Sequence, residues 1–187
     1  MTHQPSPPQT GYFSKMRGGS KAPPGVRAAD IAWSWLGAFL GIGAVAWLNG
    51  QVLDGESVVL MIGSFGASAV LVYGAVRSPL AQPRNLVGGH VLSALVGVAC
   101  RDVFHQIPWF AAALAVATAI AVMHLTRTLH PPGGATALIA VTGGAKIVKL
   151  GYLYAAIPVA SGALILLAVA VVVNNLSPRR RYPEYWW

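Results

Sequence analysis

Polar and apolar positions along this 187-residue chain fall into long blocks instead of short alternations. Six apolar segments stand out, at about 28–48, 57–76, 86–103, 108–125, 131–145 and 150–176, separated by short polar or Pro/Gly-rich breaks. Runs near twenty apolar residues are what a helix needs to cross about 30 Å of hydrocarbon, so the pattern predicts an all-α, polytopic membrane helix bundle of about six segments. Two of the six are irregular. The third carries His90 near its start and ends at Arg101-Asp102, and the fifth is short and opens with Pro131-Pro132, as a helix does after a turn. The fifth is expected to cross as a short or broken helix, with re-entry as the alternative for it and for 57–76.

Charge placement orients these segments. Lys15, Arg17, Lys21 and Arg27 precede the first, and Arg179, Arg180 and Arg181 follow the last, so both termini are expected in the cytoplasm, with the chain in a bacterial inner (plasma) membrane. Six crossings put Asp54 and Glu56 outside, Arg77 and Arg84 inside, the Arg101/Asp102 pair outside and Arg127 inside; only Lys146 and Lys149 violate the rule. Composition agrees: 55% hydrophobic residues, 10% charged and a mean hydropathy of +0.59, against about 25% charged in a soluble domain. The net charge of +8 lies in the topology-setting clusters, which suit anionic lipid headgroups and not nucleic acid. The expected domains are a disordered basic N-terminus (1–27), a transmembrane domain (28–176) and a basic, aromatic interfacial tail (177–187).

A weak internal similarity relates Gly66-Ala67-Ser68-Ala69-Val70-Leu71 to Gly134-Ala135-Thr136-Ala137-Leu138-Ile139, and the same spacing places Ser93 on Ser161. It is either a repeat or chance similarity of two small-residue segments. As a repeat, it gives each half three segments and makes the second half an inverted copy of the first.

Four constellations could carry chemistry. Ser64 and Ser68, at i,i+4 spacing beside Gly63 and Gly66, either face a polar path or serve helix packing. Gln82, Arg84 and Asn85 sit between Pro79, Pro83 and His90 as donors without acidic partners, a combination suited to an anion; the alternative is an ordinary cytoplasmic turn. The run His130-Pro131-Pro132-Gly133-Gly134-Ala135-Thr136 reads as backbone amides freed at the start of a short helix, with a histidine that can donate to an anion or carry a proton. Ionisable residues inside spans are costly and point to a site. Asn174 and Asn175 close the last segment, capping it or reaching the interior. His124 reads as a satisfied structural histidine and Cys100 as a packing residue; no metal ligand set, cofactor or catalytic residue is expected.

The His-Pro-Pro-Gly-Gly-Ala-Thr run at 130–136, Gly-Ser-Phe-Gly-Ala at 63–67, Pro-Leu-Ala-Gln-Pro-Arg-Asn at 79–85 and the Asn-Asn…Arg-Tyr-Pro ending together resemble the HPP family of integral membrane proteins, in order, from the first span to the C-terminus. The resemblance implies a small membrane transporter, with nitrite as the substrate linked to some members. It also implies four spanning helices, against the six drawn here. The leading expectation is a transporter or channel-like facilitator of a small inorganic anion, nitrite first, in a homo-oligomer. Its path is assigned to His130, Pro131, Pro132, Gly133, Gly134, Thr136, Ser64, Gly66, Ser68, Gln82, Arg84, Asn85, His90 and Asn174. The alternatives are a structural or assembly subunit and an intramembrane hydrolase with Ser64 activated by His90, His124 or His130. The second is weak, because no acidic orienter lies in a span.

Overall fold

The computed structural model describes residues 11–17, 22–52 and 55–187, which are helical apart from turns and the irregular segments 22–27 and 180–187. Seven α-helices follow in order: α1 (Ala28–Val52), α2 (Gly55–Ala69), α3 (Pro83–Phe104), α4 (Pro108–Leu125), α5 (Pro131–Thr142), α6 (Ala145–Leu150) and α7 (Ser161–Leu176). Wider π-helical turns continue α2 through Val70–Gly74 and lead into α7 through Ala155–Ala160. Among the described residues, four stretches are long and apolar enough to cross a membrane: Ala28–Gln51, Pro83–Phe104, Pro108–Leu125 and Ala155–Leu176. Four is the number the resemblance implied, against the six drawn from the pattern.

The helix boundaries follow local chemistry. α3, α4 and α5 each begin on a proline at a first helical position, preceded by the non-helical residues Gln82, Ile107 and His130, because proline has no N–H to lose there and its ring presets the helical φ. α4 ends with Arg127 N–H donating to His124 O and Thr128 N–H to Met123 O, and Arg127 takes the left-handed conformation (φ 56°) that glycine usually fills. That sharp reversal sends residues 128–130 back toward the bundle. The extended pair Gly143-Gly144 stops α5.

Arg180 bonds at once to Asp30 at the start of α1, to Tyr73 at the end of α2 and to Asn174 at the end of α7, so these ends share one face. The turn before α3 joins them through Tyr182 Oη, which donates to Ala81 O (2.8 Å), and the α4–α5 turn through Asn85 Nδ2, which donates to Leu129 O (2.9 Å). The opposite face holds Arg101, whose Nη1 reaches Ala140 O, and a cavity of about 520 Å³ lined by Asp102, His105, Pro108, Val141 and Val148 beside it. From face to face, α1, α3 and α5 run one way, while α2, α4 and α7 run the other. Every helix of the first three therefore opposes its counterpart among α4, α5 and α7, the arrangement of an inverted repeat. α2 and α5 cross where Ser64 Oγ donates to Pro132 O (3.0 Å), two residues separated by the repeat spacing of 68.

The fifth pass is short, as the sequence suggested. Twelve residues span about 18 Å, well under the hydrocarbon thickness. α5 starts level with Gly89, about two turns inside α3, and ends near Arg101. The sixth segment differs from its expected start at 150: Lys146 and Lys149 belong to the separate helix α6, and the span itself begins at Ala155.

Small residues set the packing. A Cβ on Gly89 would lie 2.5 Å from His130 Cβ, and one on Gly97 would lie 2.5 Å from Ala137 O. Two turns apart on one face of α3, these glycines bring α5 to near-backbone contact. α4 covers the pair with a buried stripe of Ala111, Ala115, Ala119 and Met123, against Cys100 and Ala137. Cys100 is a packing residue, as expected. α1 turns Trp35, Phe39 and Trp47 outward, which suits lipid contact.

Within 1–27, residues 11–13 turn into one 3₁₀ turn at Ser14–Arg17 and 22–27 is irregular; residues 1–10 and 18–21 lie outside the described ones. The tail straps the turn before α3. Tyr182 is buried under the turn before α3, Glu184 N–H donates to Gln82 Oε1 (2.8 Å), and the last two residues, Trp186 and Trp187, stand exposed.

Candidate functional site: a buried histidine–hydroxyl chain

α2 supplies Ser64 and Ser68, one turn apart on its inner face; α3 supplies His90, and α5 supplies His130 as the residue before its two prolines and Thr136 one turn in. All five side chains are buried. The glycines make this possible. Gly89 next to His90 leaves room for His130, and Gly133 leaves room for Ser93 Oγ and Gly89 O, each 2.8 Å from where its Cβ would lie.

The five side chains form one continuous hydrogen-bonded chain. Ser64 Oγ lies 2.8 Å from Thr136 Oγ1, which lies 2.7 Å from His90 Nδ1. His90 Nε2 lies 2.7 Å from Ser68 Oγ, which in turn lies 2.8 Å from His130 Nε2. The chain ends on two carbonyls, with His130 Nδ1–H donating to Leu80 O (2.7 Å) and Ser64 Oγ 3.0 Å from Pro132 O. The rings approach with centroids 5.0 Å apart, and Phe65 flanks His90 at the same separation. Around the chain, Tyr154 Oη donates to Thr136 O (3.1 Å) and contacts Met61 Sδ. Among the described residues, no Asp, Glu, Lys or Arg side chain hydrogen-bonds to any of the five.

The other sequence candidates sit elsewhere. Gln82 spends its amide donors on Val76 O (3.0 Å) and Ser78 O (2.8 Å), and Asn85 bonds Leu129 O; both shape the turns that deliver Leu80 and His130 instead of presenting donors to an anion. Arg84 stacks over Tyr185 of the tail, 5.8 Å from the ring centre. Asn174 bonds Val72 O and receives Arg180, which makes it part of the end-face clasp. Gly66 has open space where a Cβ would stand, and Gly134 borders an apolar surface groove with Val116, Ile120 and Leu138. Pro131 and Pro132 carry no N–H, and the Gly133 amide is spent on His130 O (2.8 Å). At 131–133 the amides expected to meet an anion are thus removed or used. His124, expected as a satisfied structural histidine, is exposed on the last turn of α4.

Sequence reasoning missed two supports. The roles of Leu80 O and Tyr154 rest on a backbone carbonyl and a distant tyrosine, and neither residue type signals a site. Tyr182 holds the Leu80 turn through Ala81 O, and burial pushes its phenol well above the usual range, so it remains a donor. Tyr182→Phe should therefore cost about 1 kcal/mol. In detergent this would appear as a fall of roughly 2–4 °C in the unfolding midpoint.

The sequence profile of a family described as HPP, transmembrane region, matches residues 23–183. Two transmembrane proteins of Dictyostelium discoideum are each 47% identical, over 179 and 182 residues; each alignment takes in 94% of this chain, but 57% of the first relative and 63% of the second. The chain thus spans about three fifths of the length of the curated relatives it matches. No solved structure matches it. A profile match over most of the chain, with relatives at this identity, makes the chain an integral membrane protein of the HPP transmembrane family.

Proposed function

We propose that this protein moves a small inorganic anion across the membrane, with nitrite the first candidate, and that the His90–Ser68–His130 centre is the point the solute must pass. One observation carries the reading: two buried histidines share a single hydroxyl deep in a membrane bundle, and among the described residues no carboxylate bonds to either. A polar, ionisable centre in hydrocarbon is costly and is kept where solutes pass. Protonated, this centre would be a cation without a counter-charge, and a monovalent anion is the species that would neutralise it. The bundle is closed here, which suits alternating access or a gated path more than an open pore. α5 is the natural moving part, since the reversal at Arg127 and the Gly143-Gly144 break bound it on both sides.

In this reading the face carrying Arg27, Arg77, Arg84, Arg127 and Arg179–Arg181 is cytoplasmic, with both termini there, and in a bacterium the membrane is the inner one. The opposite face holds Lys146, Lys149 and an Arg101 already paired to Asp102 at 2.8 Å. Catalysis does not suit the centre. The serine that meets both rings is Ser68, not Ser64, and it is enclosed.

Nitrite uptake by proteoliposomes tests the proposal. Uptake should exceed that of protein-free vesicles, and His130→Ala, which breaks the chain at its Leu80 end, should return it to background while the protein remains monodisperse. Wild-type uptake equal to the protein-free rate would reject nitrite as the solute.

A further inference from the structure

The donor and acceptor assignments along the buried chain can be worked out completely. Leu80 O only accepts, so His130 Nδ1 carries a hydrogen. If His130 is neutral, its Nε2 is an acceptor and Ser68 O–H must donate to it. Ser68 Oγ then accepts from His90 Nε2–H, which leaves His90 Nδ1 to accept from Thr136 O–H, and Thr136 Oγ1 to accept from Ser64 O–H. Every hydrogen points the same way, from Ser64 toward His130.

The opposite polarity is equally complete with one more proton. His130 Nε2–H then donates to Ser68, Ser68 O–H to His90 Nε2, His90 Nδ1–H to Thr136, and Thr136 O–H to Ser64, whose own hydrogen goes to Pro132 O. The two patterns differ by one set of hops along the same five contacts. A hydronium ion gives its proton to Ser64 Oγ and leaves as water; the Ser64 hydrogen passes to Thr136 Oγ1, the Thr136 hydrogen to His90 Nδ1, the His90 Nε2 hydrogen to Ser68 Oγ and the Ser68 hydrogen to His130 Nε2. Each O–H or N–H bond broken is replaced by one formed, no electrons change hands, and the single added charge arrives on His130. When α5 moves and His130 Nε2 leaves Ser68, that nitrogen releases its proton to water while Nδ1–H stays on Leu80 O; the hydroxyls rotate back, and His90 regains its first tautomer by taking a proton from water at Nε2 and giving up the one at Nδ1.

We infer that the chain Ser64–Thr136–His90–Ser68–His130 is a proton relay through the closed centre of the bundle, and that solute movement is linked to the passage of one proton. This rests on the transport reading above and names its coupling ion. The groups facing the relay leave it to the two histidines: α2 presents Phe65, α4 presents Met123 beside Gly89 and Gly133, the segment before α7 presents the Tyr154 hydroxyl, and the tail reaches only Ala81 O through Tyr182. Among the described residues no charged side chain bonds to the relay to hold its proton permanently. The arrangement also answers the counter-charge problem, because a proton on His130 and a monovalent anion beside it cross together as a neutral pair.

The test uses the full chain in vesicles of phosphatidylcholine and phosphatidylglycerol loaded with a pH-sensitive dye, with nitrite uptake and internal pH followed together and protein-free vesicles as reference. Wild-type uptake should acidify the interior by one proton per nitrite and be insensitive to a potassium–valinomycin membrane potential. Ser68→Ala and Thr136→Val each remove a different link, and both should abolish protein-dependent acidification; two sites guard against one variant failing to fold. Potential-driven nitrite uptake without acidification would overturn the relay and leave the anion reading standing. Protein-dependent proton flux lost in both variants, with no nitrite uptake, would keep the relay and reject nitrite. Acidification unchanged in either folded variant would overturn the relay.

Discussion

Gly97→Val is expected to leave no folded bundle to purify. A Cβ at Gly97 would stand 2.5 Å from Ala137 O, 2.7 Å from Ala140 Cβ and 2.9 Å from Ala137 Cα, and none of these is the end of a flexible side chain that could swing aside. Relief requires α5 to move away from α3. The movement would pull Thr136 off His90 and Ser64, so packing and the polar chain would fail together. Overpacking a core usually costs about 1–3 kcal/mol, and against backbone the cost should exceed the top of that range. The measurement is the monodisperse fraction in detergent together with the unfolding midpoint. Gly66→Ala is the control from the same kind of small-residue motif: nothing lies within 4 Å of its Cβ, and within helix α2 alanine should stabilise by about 0.5–1 kcal/mol. A valine tolerated at 97 would mean that α3 and α5 are not in close contact.

Arg180→Ala should have the second-largest effect on stability, and Arg180→Lys should not rescue it. Nη1 donates to Tyr73 O (3.0 Å) and Asn174 Oδ1 (3.2 Å), Nη2 donates to Ser34 Oγ (2.9 Å) and Asp30 O, and Nε faces the Asp30 carboxylate. One planar guanidinium thus ties the ends of α1, α2 and α7. A lysine ammonium is a single point and cannot reach these acceptors from one position. Hydrogen bonds to charged groups contribute about 1.5–3 kcal/mol each, so losing those to Tyr73, Asn174 and Ser34 should cost at least roughly 3 kcal/mol. Thermal unfolding of wild type, Arg180→Ala and Arg180→Lys side by side checks this. A lysine variant matching wild type would show that charge at this position suffices and the fork is not needed.

Both predictions concern features of different legibility. Gly97 lies in an apolar segment where nothing in the spelling separates it from Gly66, although one is clamped between helices and the other faces open space. Arg180 belonged to a basic run that the positive-inside rule accounts for by itself, and its role as a clasp appears only when residues 30, 73 and 174 meet. The candidate site was half legible. Ser64, Ser68, His90, His130 and Thr136 were all singled out from intramembrane polarity and spacing, and they meet. Gln82, Arg84, Asn85 and Asn174 were read by the same logic and turned out to bond carbonyls and the tail, because donors in a turn are consumed by whichever acceptors the fold brings nearest.

Periodicity and composition alone determined the helical membrane bundle, the proline-started helices and the short fifth pass, since these depend on local sterics and on the absence of water in hydrocarbon. The inverted directions were suggested by the 68-residue spacing. Tertiary structure decided the rest: that two histidines separated by 40 positions share one serine hydroxyl, that prolines expected to free amides instead remove them, and that the basic tail closes over the bundle. Hydrogen bonds and close glycine contacts between distant segments depend on relative helix position to within a fraction of an ångström, and that position is a property of the packed whole and not of any segment's sequence.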